Sequence, residues 1–227
     1  MLLFFWIFQN YVSENGQCAL NIVLNSNSNS NQLIHKILKK ANKTILNVKN
    51  DENYTPLMQL LIDSEITINS LNDEQQIIRC IDLMSDDTLN TIGYDDKTAL
   101  HFACEGGYET IGLKLAQRMS KNAINHYCMN SYDGNDRSAL YCACTAGLSS
   151  LALMLVNLST DEVLNDISNG ISTFQYACMN SFVSVVFAML PRLNKETIHY
   201  RCDNMTALTI AYKRKSKKMI SALEKYV

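Results

Sequence analysis

With 227 residues, 47% hydrophobic and 19% charged, the chain has apolar material for one large domain or two small ones, which points to a soluble, folded protein. Eight Gly and two Pro are few for an all-β chain that needs many tight turns, whereas the abundant Leu, Ile, Met, Lys and Glu suit helices. A formal net charge of −2 supplies no global field that would draw in nucleic acid or an anionic membrane, so partner choice must come from local surface.

In chain order, the first element is the apolar stretch Leu2–Phe8. It is too short to span a bilayer and lacks a basic leader and a small-residue cleavage site, so a helix packed on the next helical element is expected, and no transmembrane segment. Phe4, Phe5, Trp6 and Phe8 offer more apolar surface than one helix side buries, which predicts a longer array or association of another molecule at this amino end.

A short pattern then recurs. Its first, weak copy is Cys18-Ala19-Leu20-Asn21, followed by the polar tract Asn25–Asn31, expected to be a flexible surface loop. Thr55-Pro56-Leu57 is the second copy, lengthened by Asp63–Asn72, part of which should pack through Ile66 and Ile68. Thr98-Ala99-Leu100-His101, Ser138-Ala139-Leu140-Tyr141, Ser172-Thr173-Phe174-Gln175 and Thr206-Ala207-Leu208-Thr209 complete the series. The third residues of the copies, at 20, 57, 100, 140, 174 and 208, lie 37, 43, 40, 34 and 34 positions apart, so one structural unit is being reused.

Each hydroxyl residue follows a turn-prone stretch and precedes helix formers, the position of an N-cap. After Thr98 come Leu100, Ala103 and Cys104, the break Gly106-Gly107, then Ile111, Leu113, Leu115 and Met119; the next copy repeats this around Gly147. The unit is therefore helix, tight turn, helix. A second signature comes after the second helices, at Met84–Asn90, Met119–Asn125, Leu158–Asn165 and Leu193–His199, and predicts an extra helical turn, with Glu162 as the capping-box partner of Ser159.

These residues resemble the ankyrin repeat family, whose pattern runs Asp-x-x-Gly-x-Thr-Pro-Leu-His-x-Ala-Ala-x-x-Gly-His before a Leu-rich second helix. Lys97–Glu109 is the nearest copy, keeping Thr98, Leu100, His101, Ala103 and Gly107, with Tyr108 in place of the second His. Turn glycines are replaced at Asn53, Asp96, Asp136 and Asn204, and only Pro56 keeps the proline. The resemblance implies an all-α ankyrin-repeat solenoid of about six helix-turn-helix repeats in a single domain, 1–227. Approximate units are 1–12 (a partial helix), 13–48, 49–91, 92–130, 131–166, 167–199 and 200–227. The lengthened, divergent repeats and the richness in Asn, Ile and Lys look like ankyrin proteins of large DNA viruses or intracellular bacteria, which would suit a host-directed adaptor.

No catalytic, cofactor-binding or metal site is expected. Cys104, Cys144 and Cys178 occupy one position of successive repeats, and Tyr212 takes it in the last. Stacked helices sit about 8–10 Å apart while a disulfide needs Cα atoms within about 7 Å, so these are expected to be small buried packing residues. Cys142 and Cys144, two apart on a helix, point about 200° apart and cannot share a metal. Without a secretory signal the eight thiols should be reduced, and the cytoplasm is the expected compartment, with the nucleus or a host cytosol as alternatives. For His101 the resemblance implies a structural role, tying the helix start to adjacent turns.

The resemblance also implies the function: a non-catalytic scaffold holding an unidentified partner protein on a concave face of turn tips and first helices, with no small-molecule substrate and no membrane. Carried over from the pattern, the positions not consumed in packing are Glu52 and Tyr54; then Tyr94, Asp95, Lys97 and Glu105; then Asn135, Arg137 and Thr145. Asn169, Ile171, Met179 and Asn180 come next, and finally Asp203, Met205, Lys213 and Arg214. Tyr54, Tyr94 and Arg137 have the residue types that dominate interface energies and are expected to anchor the partner. The basic run Lys213–Lys218 reads as a solvated outer face of a terminal repeat, against the alternative of a nuclear or nucleic-acid-associated factor. A third reading is a fragment of a larger ankyrin-containing enzyme or effector.

Overall fold

A computed structural model describes residues 12, 18, 20, 23, 31–62, 71–129, 136–167 and 170–226. The expected helix at Leu2–Phe8 and most of the tract from Asn25 lie outside the described residues, as do residues 63–70 of the second insertion. The chain is mostly helical and divides into two compact units, Met1–Ala123 and Ile124–Val227.

The first unit contains α1 (Asn31–Lys40), α2 (Lys43–Leu46), α3 (Pro56–Ile62), α4 (Leu71–Leu83), α5 (Asp86–Leu89), α6 (Ala99–Glu105) and α7 (Glu109–Arg118). The short α8 (Lys121–Ile124) crosses the division. Asn31 thus opens a helix instead of ending a loop, and Leu71 and Asn72 begin α4. Two layers form: α3 packs on α6, while α1, α4 and α7 pack in succession.

The second unit holds β1 (Tyr127–Met129), β2 (Asp136–Ser138), α9 (Ala139–Thr145), α10 (Ser149–Leu158), α11 (Asp161–Leu164), α12 (Thr173–Met179), α13 (Val183–Met189), the 3-10 turn Leu190–Arg192, α14 (Lys195–His199), α15 (Ala207–Lys213) and α16 (Lys217–Leu223). Here α9, α12 and α15 pack in one layer and α10, α13 and α16 in the other.

The pattern residues do the local work expected of them. Thr55, Ser138, Ser172 and Thr206 accept from the backbone N–H three residues on, at 3.1–3.3 Å, which satisfies one orphan donor of each first helix. At the other end α6, α9, α12 and α15 each close by one left-handed residue: Gly107 (φ 75°), Gly147 (85°), Ser181 (59°) and Lys215 (55°). The next N–H groups then reach back to the carbonyls of Ala103, Ala143, Ala177 and Ala211 at 2.8–3.1 Å, a Schellman closure that reverses the chain. Those alanines are fully buried, as are Leu57, Leu100, Leu140 and Phe174 of the recurring pattern; Leu208 is half-exposed.

Two expectations are corrected. The cap of α11 is Thr160, whose Oγ1 accepts from Val163, and not Ser159 with Glu162. Ser159 is buried and its N–H closes α10 on Leu155 (2.8 Å), so the short helix starts one residue later. Asp136 does not adopt the left-handed conformation of Asn53 (φ 60°), Asp96 (58°) and Asn204 (62°); it is extended in β2. The reason is one short strand pair in an otherwise helical chain: β1 and β2 pair antiparallel, Tyr127 opposite Ser138 and Met129 opposite Asp136, where the copies at Asn53, Asp96 and Asn204 turn tightly.

Sequence-distant side chains tie neighbouring pairs together. Asn47, Asn90 and Asn165, at the ends of α2, α5 and α11, each donate Nδ2 to their own helix, at Lys43 (2.6 Å), Asp86 (2.8 Å) and Asp161 (2.7 Å). Their Oδ1 atoms accept the N–H of Ser85, Ser120 and Asn194, each at 2.7 Å. Asn125 does the same for Thr160 (2.8 Å) while donating to the Leu158 carbonyl at 3.2 Å.

A parallel series of guanidinium groups fills helix C-termini. Arg79 reaches the carbonyls of Leu38 and Lys39, Arg118 those of Ile81 and Met84, and Arg192 those of Val156 and Ser159, at 2.7–3.2 Å. Cations there satisfy open carbonyls and oppose the negative end of the helix dipole.

Asn165→Ala removes the acceptor of the Asn194 N–H and the donor to the Arg192 carbonyl, while the Asp161 carbonyl keeps the backbone N–H of residue 165, and should lower unfolding free energy by about 1–3 kcal/mol in urea titration. An unchanged midpoint would show that the amide contributes nothing.

Candidate partner-binding surface

In the first unit the candidate surface is built from two loops. Asn50 Oδ1 accepts the N–H of Glu52 (3.1 Å) and of Tyr54 (2.8 Å), an Asx arrangement that turns the chain. In the next loop Gly93 donates to the Lys97 carbonyl at 2.8 Å, and Asp95 Oδ1 accepts the Lys97 N–H at 3.2 Å. The loops are fastened to each other: Tyr94 N–H donates to the Glu52 carbonyl (3.0 Å) and Asn53 Nδ2 to the Ile92 carbonyl (2.6 Å).

On this held backbone the predicted residues divide. Tyr94 is 85% exposed and Glu52 is exposed. Tyr54 is half-buried, its ring edge-on to Phe102 with centroids 6.0 Å apart. Burial, then the Asp95 carboxylate beside it, pushes its phenol well above the ordinary tyrosine value. Lys97 sits 2.9 Å from Glu105 Oε2 and 4.0 Å from Asp95 Oδ2, with its ammonium 5.3 Å from the Phe102 ring centroid. Asp95, Lys97 and Glu105 therefore spend much of their charge on one another.

In the second unit Asn135 and Asn169 lie outside the described residues. Arg137, in β2, is half-buried with its guanidinium 5.6 Å from the Tyr141 ring centroid, and Tyr141 packs edge-on against Tyr176 at 5.2 Å. Thr145 is exposed and donates its hydroxyl to the Cys142 carbonyl at 2.9 Å; Asn180 is exposed and its Nδ2 donates to the Cys144 carbonyl at 2.8 Å. Ile171 and Met179 are half-buried. Asp203 (φ 48°) is exposed at the turn that Cys202 and Met205 close, and Met205 takes Lys213 Nζ at 3.0 Å on its sulfur. Lys213 and Arg214 are exposed.

Sequence reasoning gave a structural role to His101 and passed over Gln175 at the same pattern position. His101 is buried and its Nδ1 accepts the Thr98 N–H at 3.2 Å. Buried Gln175 accepts the Ser172 N–H at 3.1 Å and sends Nε2 to the carbonyls of Tyr200 (3.1 Å) and Met205 (3.0 Å), so one side chain holds both its own helix start and the next loop. Its place in the repeat was the signal that could have found it.

A cleft of about 640 Å3 in the second unit is lined by Tyr127, Asp136, Glu162, Asn165, Asp166 and Ile167. Burial, then Asp166, Glu162 and Asp136, raises the Tyr127 phenol. Among the described residues no three His, Cys, Asp or Glu converge as metal ligands. None of the eight cysteines is disulfide-bonded, and seven are buried. Burial pushes the Cys144 and Cys178 thiols up to about 12 and Cys80 up to about 11. Tyr212, in the same repeat position as Cys144 and Cys178, is exposed instead, its hydroxyl donating to Glu224 Oε1 at 2.6 Å. Among the described residues no helix is long and apolar enough to cross a membrane.

Compared with known proteins, the chain matches no family model and no curated protein.

These environments have two measurable outcomes. Cys144 and Cys178 should resist a thiol-alkylating reagent in the folded protein at pH 8 and react on denaturation, read by mass spectrometry; prompt labelling of native protein would contradict their burial. Because the folded thiols ionise only near pH 12 while unfolded ones ionise near 9, unfolding free energy should fall as pH rises through that window, as seen in alkaline urea titrations.

Proposed function

We propose that the chain is a stack of about six ankyrin-type helix-turn-helix repeats acting as a non-catalytic scaffold that binds a partner protein through its loop tips and first helices. The pattern's hydroxyl, apolar and small residues are absorbed in caps and core, while Glu52, Tyr94, Thr145, Asn180, Asp203, Lys213 and Arg214 stay exposed. Eight cysteines without a disulfide fit a reducing compartment such as the cytoplasm.

The observation that carries the reading is Tyr94. A large ring left 85% exposed on a backbone fastened at Glu52 and Lys97 is pre-organised, so little entropy is lost when a partner covers it. Tyr54 and Arg137, already packed against Phe102 and Tyr141, support the surface more than they project from it.

The test is to identify the partner by proximity labelling in the native cell and to measure its affinity for the Tyr94→Ala variant. Binding should weaken by about 1 kcal/mol or more, while thermal stability stays within about 0.5 kcal/mol of the parent. Tyr54→Ala, by contrast, should cost about 1–2 kcal/mol of fold stability. Equal affinity of parent and Tyr94→Ala would discard the surface.

A further inference from the structure

The basic run has a distribution that solvation alone does not explain. Seven of the chain's 20 Lys and Arg fall after Tyr200, against two of its 22 Asp and Glu, so residues 1–200 are net acidic and the remainder strongly basic. Lys213, Arg214, Lys215, Lys217 and Lys218 are all exposed across the turn between α15 and α16, and none forms an ion pair with a described residue. Of the two acids, Glu224 is engaged by the Tyr212 hydroxyl.

Three of these cations stand where helix stability favours something else. Lys215 holds the left-handed position (φ 55°) that Gly107 and Gly147 fill in other turns, a conformation unfavourable for a residue with a Cβ. Lys217 and Lys218 begin α16, where the positive end of the helix dipole repels them; the matching place in α7 carries Glu109, and α10 begins with Ser149 and Ser150. Polar or acidic residues would wet this turn equally well without like-charge crowding.

We propose that this turn is a second contact site, which takes an acidic segment of a protein partner. It deepens the scaffold reading and rests on it for the partner being a protein. Four of the five groups are lysines, point charges on flexible stems that suit a row of carboxylates. Within the second unit residues 124–200 carry six Asp and Glu against three Lys and Arg, so a long nucleic acid would meet net-acidic surface as well, whereas a short acidic segment can engage this turn by itself.

The test is fluorescence titration of the full chain with a short Asp/Glu-rich peptide, with single- and double-stranded oligonucleotides and with phosphatidylserine vesicles, between about 50 and 300 mM salt. The expected result is peptide binding that weakens as salt rises and falls about tenfold or more in Lys215→Gly/Lys217→Glu/Lys218→Glu, a variant that melts at or above the parent temperature. Absent peptide binding, tighter binding of an oligonucleotide or vesicle, or a lower melting temperature of the variant would each overturn the proposal. Tyr94→Ala should leave peptide binding unchanged. If the peptide fails while Tyr94→Ala still releases the cellular partner, this site is wrong and the scaffold reading stands.

Discussion

In four of the helix-turn-helix pairs the reversal depends on one residue held left-handed at the end of the first helix. With Gly107, Gly147, Ser181 or Lys215 in that conformation, the next N–H folds back onto a buried alanine's carbonyl and the second helix must leave in the reverse direction. That alanine, being small, lets successive first helices pack closely, and the hydroxyl cap fixes where each helix begins. What remains outside, the loop tips and the exposed sides of the first helices, is set by these two ends.

Interactions spanning three to five residues were legible in the sequence. Thr55, Ser138, Ser172 and Thr206 were recognisable as caps because cap and acceptor lie on one stretch of chain, and Gly147 as a turn because only a special conformation calls for it there. The limit of such reading shows at Ser159 and Thr160, two adjacent hydroxyl residues of which only the second is placed to cap. Likewise the pairing of Tyr127–Met129 with Asp136–Ser138 replaces a turn that the pattern implied, because strand pairing has no fixed spacing in the sequence to detect.

Longer reach was not legible. Asn90 and Ser120, Arg192 and Val156, and Gln175 and Tyr200 are 30, 36 and 25 positions apart, and their geometry exists only once helices have stacked. The same holds for the candidate surface. Tyr54 and Tyr94 read alike as loop aromatics, yet one ring lies against Phe102 and the other stands in water, a difference decided by a partner 48 residues away from Tyr54.

The asparagine and arginine ties are local: each joins one helix pair to the next within its own compact unit. Damage to one tie would therefore be felt first at the junction it spans, while the same grip persists at the others.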